Sequence, residues 1–144
     1  MAAEDKNMNQ AQENAEIAIE ELRSRYAERM REQYEYAAEK LRSERDEALR
    51  ENWILQQQAR AALPEQMAAA GINGGAAETS LANINAQYQG GRNDIRNEYI
   101  KELGELNGEH SEKQAEAEQG YNEKWLEYLL SLAKKEYEYA KKQG

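Results

Sequence analysis

Twenty-five glutamates and a single histidine are the residues in this chain with the most obvious capacity for proton or metal chemistry. Paired carboxylates in a cleft can split their pKa values and act as general acid and base. Here, however, glutamates such as Glu28, Glu32 and Glu39 stand beside Arg25, Arg29 and Arg31 at helical spacings, which is the pattern of a solvated helix face laced with ion pairs. His110 lies between Glu109 and Glu112, but one imidazole with two carboxylates is a weak ligand set. His110 also falls on an apolar stripe, where a packed histidine is expected. The chain has no cysteine, which excludes disulfides and thiolate metal sites. The glycine-rich stretch at 71 to 75 lacks the Gly-Lys-Ser/Thr ending and preceding strand of a phosphate cradle, and Glu78 would repel an anion there. The expectation is a protein without catalytic residues, cofactor or metal.

The elements that carry these residues follow from composition. Ala, Glu, Lys, Leu and Arg supply 79 of 144 residues, with one Pro, no Phe and no Val. That stock builds long helices or coiled coil and leaves almost nothing for a sheet. Mean hydropathy is −1.10 and 40% of residues are apolar, too little for a thick core. The net charge of −9 is spread over both halves, so no basic face large enough for a nucleic-acid duplex is expected. The first residues lack an apolar run and no window approaches a bilayer span, so neither a signal peptide nor a spanning helix is expected.

Steps of 4, 3 and 4 from Ala15 land on Ile19, Leu22, Tyr26, Met30, Gln33, Ala37, Leu41, Glu44, Ala48, Asn52, Leu55, Ala59, Leu63 and Gln66. Most are apolar or Tyr in a polar background. Steps of 3, 4 and 4 from Leu81 give Ile84, Tyr88, Arg92, Ile95, Tyr99, Leu103, Leu106, His110, Gln114, Ala117, Tyr121, Trp125, Tyr128, Leu132, Glu136 and Tyr139. Both stripes repeat every eleven residues, about 3.67 per turn, so they predict straight or slightly right-handed packing. The fold expected is all-α: a long antiparallel helical hairpin, coiled-coil-like, in one elongated domain over 1 to 144. Its arms run over about 5 to 63 and about 81 to 142, with a corner at 64 to 80.

Each corner residue has a reason. Pro64 lacks an N–H and biases Leu63 away from the α region, so the first arm is expected to kink or end there and a short helix to restart. Gly71 suits the left-handed position after a helix end, with Ile72 folding back as in a Schellman cap. Asn73, Gly74 and Gly75 tolerate positive φ, and Thr79 or Ser80 can cap the second arm, with Glu78 near the positive end of its dipole. Closure around 73 to 75 pairs residue numbers adding to about 148, setting Leu22 near Trp125, Tyr26 near Tyr121, Leu41 near Leu106 and Trp53 near Ile95.

The second arm contains Gly90, Gly91, Gly104, Gly108 and Gly120, each costing about 1 kcal/mol in a helix interior. Either the arm breaks, with Gln89-Gly90-Gly91-Arg92 the first place for it, or packing neighbours offset the cost. Gly104 and Gly108, four apart, would let another helix approach closely. Trp125, Leu126, Tyr128, Leu129, Leu130, Leu132, Ala133, Tyr137 and Tyr139 form the widest apolar face, followed by Lys134, Lys135, Lys141 and Lys142. The expected partner seam is therefore Gly104, Gly108, Trp125, Leu126, Leu129, Leu130 and Leu132, packing copies into a bundle or ring. The alternative for the C-terminal segment is membrane contact, with Trp and Tyr at headgroup level and Lys reaching outward.

The run from Trp53-Ile54-Leu55 through Leu63-Pro64-Glu65-Gln66 and Gly71-Ile72-Asn73-Gly74-Gly75-Ala76-Ala77-Glu78-Thr79-Ser80-Leu81, continuing to Tyr88 and Arg92, resembles small helical structural proteins of tailed bacteriophages and prophages of Gram-positive bacteria. More loosely it is similar to internal core proteins that phages eject with their DNA. The resemblance covers about a third of the chain and implies a non-enzymatic virion component of neck, tail or capsid. Such a protein would be made in the host cytoplasm and would contact itself and other virion proteins. Two other classes stay open: an ejected, membrane-active virion protein, and a non-virion scaffold or chaperone. A secreted WxG-type hairpin is excluded, because the corner reads Ile72-Asn73-Gly74 and no Tyr of the C-terminal segment has an acid four residues on.

Overall fold

The computed structural model describes residues 2 to 71 and 75 to 143, with side chains from residue 6 onward except residue 8. Their regular structure is two α-helices, α1 over Ala2–Ala70 and α2 over Gly75–Gln143, giving an all-α helical hairpin. The strong helix formers Ala, Glu, Lys, Leu and Arg, which supply 79 of the 144 residues, favour this length. The chain falls into two compact units, Met1–Tyr34 with Gly108–Gly144 and Glu35–Asn107, each an antiparallel pairing of one stretch of α1 with one of α2.

The corner is shorter than its composition suggests. α1 runs through Pro64 to Ala70 without ending. The bond that Pro64 removes is the one to the Arg60 carbonyl, and both residues are exposed, so water can take its place. α1 stops where Gly71 turns to φ +68°, and the Gly71 N–H donates to the Ala68 carbonyl at 3.2 Å. That is the inner bond of a Schellman cap. Ile72, Asn73 and Gly74 lie outside the described residues. Gly75 opens α2 with ordinary helical geometry, so neither Thr79 nor Ser80 caps it. Gly75-Ala76-Ala77-Glu78 can extend the helix backward at one hydrogen bond per residue. The Thr79 hydroxyl, already inside, donates back to the Gly75 carbonyl at 3.0 Å. Glu78 does sit in the first turn, and Lys141 and Lys142 in the last, each complementing the dipole.

α2 also passes through Gly90 and Gly91 unbroken. The eleven-residue repeat is present, but in α1 one position per repeat is shifted by one. Tyr34, Arg45, Gln56 and Met67 face inward where Gln33, Glu44, Leu55 and Gln66 were expected, and in α2 Gly91 replaces Arg92. Tyr26 meets Tyr121 as expected, ring centroids 6.3 Å apart. Elsewhere the register is earlier by up to about a turn. Ile19, not Leu22, shares a groove with Trp125, and Ile95 shares one with Leu41 and Ala48, while Trp53 is 55% exposed. The helix ends set closure midway between Ala70 and Gly75, so that paired numbers add to about 145 rather than the 148 of a closure around 73 to 75.

Burial is thin. Among the described residues, Met30, at 5% exposure, is the buried apolar side chain, and α2 contributes none. Each unit is therefore a single seam rather than a core.

Candidate assembly faces

In the first unit the seam is held by aromatic and charged groups together. Tyr121 lies edge-on to Tyr26 at 72°, and its hydroxyl donates to the Leu22 carbonyl at 3.2 Å. Arg23 grips the Glu118 carboxylate with two nitrogens, Nε to Oε1 at 2.9 Å and the second through Oε2, and touches Glu20 at 3.4 Å. Those contacts, the Glu118 hydrogen bonds foremost, raise the guanidinium pKa further above its ordinary value. Tyr34 and His110 stack with centroids 4.7 Å apart at 35°. His110 is thus a packed seam residue. Among the described residues no group of three His, Asp or Glu side chains could hold a metal.

In the second unit polar residues occupy seam positions and carry the register. Asn52 Nδ2 donates to the Tyr88 carbonyl at 2.9 Å, and Gln56 Nε2 donates to Asn85 Oδ1 at 3.1 Å. A β-carbon on Gly91 would come within 2.9 Å of Asn52 Oδ1, so this glycine admits the asparagine. The Arg45 guanidinium lies 4.4 Å over the Tyr99 ring while pairing with Asp46 at 2.9 Å. Around the same groove Glu44, Glu98 and Glu102 converge. Desolvation and the neighbouring carboxylates of Glu98, Glu44 and Glu105 push the Glu102 pKa up.

The expected partner seam divides. Trp125 and Leu132 are half-buried on the face that α2 turns to α1, so packing within the chain already occupies part of their surface. Leu126, Leu129 and Leu130 point outward, at 59%, 37% and 67% exposure. Gly104 and Gly108 lie in open space, with nothing near the place a β-carbon would take. In the second unit Trp53 and Leu55 are likewise outside the seam, both more than half exposed. Gln56 and Arg45 stood off the expected stripe and had no apolar signature to mark them as seam residues. Asn52 stood on the stripe, and what the spacing did not show was its polar bond across the helix pair beside Gly91.

The described residues present grooved faces. The grooves are shallow and run along the helix pairs, and no described helix is long and apolar enough to cross a membrane. No protein-family model matches the chain, and no curated protein or solved structure matches it.

Proposed function

We propose that this chain is a non-enzymatic assembly protein, a helical hairpin that works as a homo-oligomeric structural component of a bacteriophage virion. One observation carries the assembly reading. Among the described residues Met30 alone is buried and the rest of the seam is at most half-buried, while Trp53, Leu126, Leu130 and Tyr137 stay more than half exposed. Apolar side chains of that size each gain about 1.5 to 3 kcal/mol when fully removed from water, so these faces are worth more against another protein than in solvent. The bonds of Arg23 to Glu118 and of Tyr121 to Leu22 hold the register of the helix pair, so the outward face is offered as a formed surface. Assignment to a virion neck, tail or capsid rests on the resemblance of the 53 to 92 segment, and symmetric sites in such particles require several copies.

The test is mass spectrometry of purified particles from a host carrying the gene, together with the mass of the purified protein in solution. Peptides at stoichiometric abundance in the particle and a mass above 16.5 kDa are expected. A strict monomer absent from particles overturns the reading.

A further inference from the structure

Helical spacing divides the last third of α2 into two opposite faces. Tyr121, Trp125, Tyr128 and Leu132 are half-buried on the seam. Steps of about 100° per residue put Leu126, Leu130 and Tyr137 half a turn away. There they are 59%, 67% and 70% exposed. Leu130, Ala133 and Tyr137, with Glu127 and Lys134, line a shallow groove along that outer face.

The charges on the outer face are unevenly distributed along its length. Glu116, Glu123 and Glu127 share the face on the N-terminal side of Leu130, and Lys134 and Lys141 share it on the C-terminal side, where Glu138 stands at the rim eleven residues after Glu127; all six are exposed. A parallel, in-register neighbour would set acid on acid and base on base. An antiparallel copy sets Glu123 opposite Lys141 and Glu127 opposite Lys134, and the same placement brings Leu126 to Tyr137 and Leu130 to Ala133. One two-fold axis near Ser131 brings all four pairings together to within about two residues, a gap that the long Glu and Lys side chains span. A two-fold interface has to be self-complementary, and this patch is so in both charge and apolarity. A lipid surface is the poorer fit, because an interfacial helix keeps its basic residues beside an apolar face free of acids, whereas here glutamates, Glu123 and Glu127 among them, share the apolar face.

We propose that two copies of the chain pair antiparallel through this outer face, about a two-fold axis near Ser131. The proposal rests on the self-assembly reading above and adds the face, the direction and the facing residues.

Sedimentation velocity of the full chain over a concentration series tests it, beside two charge variants whose helicity is checked by circular dichroism. Glu123→Lys with Glu127→Lys makes all four paired charges basic, and Lys134→Glu with Lys141→Glu makes all four acidic. The wild type is expected to reach twice its monomer mass, each variant alone to need at least about tenfold higher concentration, and the equimolar mixture to recover pairing. Because the chain has no cysteine, direction can be read by oxidising a mixture of Leu126→Cys and Tyr137→Cys chains. Crosslinks are expected between the two variants and not within either. A wild type that stays monomeric throughout overturns both this pairing and the self-assembly reading. Oligomers indifferent to the charge variants, or crosslinks within one variant, overturn this geometry and leave self-assembly standing. A monomer that co-sediments with anionic vesicles through Leu130 assigns the face to lipid instead and overturns the pairing.

Discussion

Asn52 sits against Gly91. Its Nδ2 donates to the Tyr88 carbonyl at 2.9 Å, and its Oδ1 stands 2.9 Å from the place a β-carbon on Gly91 would take. The amide bond across the helix pair and the missing side chain are one arrangement: the first needs the second.

This relationship predicts opposite behaviour from adjacent glycines. Gly90 faces open space, so Gly90→Ala is expected to stabilise the chain by about 1 kcal/mol through helix propensity. Gly91→Ala gains the same propensity but displaces Asn52 from Tyr88, losing about 1 kcal/mol, so no net gain is expected. In an Asn52→Ala background both substitutions should stabilise alike. Urea unfolding of the six chains checks this, and equal effects of the two glycine substitutions in the wild-type background would refute it.

Gly71 ends α1 at φ +68°, a conformation in which a β-carbon crowds the following carbonyl. Gly71→Ala is expected to cost about 1 to 2 kcal/mol, and Gly71→Asn less. Thermal unfolding followed at 222 nm measures both. An alanine variant as stable as the wild type would show that this conformation is not what terminates the helix.

Glu102 makes stability depend on pH in a definite direction. A carboxyl whose folded pKa is raised binds its proton more tightly in the native state. The stabilisation it brings is therefore fully present below the ordinary value of 4.5 and is lost as pH rises through the raised value. Wild-type melting temperature should accordingly fall across that interval. Glu102→Gln removes the crowding by Glu98, Glu44 and Glu105 and should melt higher than the wild type at pH 7, with the difference closing in acid. Indistinguishable melting at pH 7 would count against it.

Arg23 and Glu118 form the bidentate pair that joins the helices of the first unit, yet both side chains are nearly half exposed. A double-mutant cycle with Arg23→Ala and Glu118→Ala should therefore return a favourable coupling that shrinks as salt is raised from 0.05 to about 0.5 M. A coupling that ignores salt would mean that Arg23 acts through packing of its stem.

Much of this architecture is readable without coordinates. Helix-forming composition dictates α1 and α2, the eleven-residue spacing of residues such as Ile19, Met30, Leu41 and Leu63 dictates one seam per helix, and Gly71 marks the end of α1, because propensity, periodicity and chirality act locally. What sequence-local physics misplaces is equally specific. Pro64 reads as a break and is passed by the helix, since an exposed carbonyl can exchange its lost bond for water. Gly90 and Gly91 leave open from sequence whether the helix breaks, and it passes them, because their flanks propagate it and Asn52 bonds across to Tyr88. The slip from Glu44 to Arg45 and from Leu55 to Gln56 is invisible in a hydropathy pattern, because Arg45 enters the seam through the ring of Tyr99 and Gln56 through the amide of Asn85.

The sequence by itself determined that this protein is two amphipathic helices folded back at Gly71, with more apolar surface than one seam consumes. Only the tertiary structure decided how that surface is shared, turning Trp125 and Leu132 inward and Leu126, Leu130 and Tyr137 outward. The reason is geometric: a helix shows every apolar residue the same spacing rules, and which side counts as inside is set by the partner that lies against it.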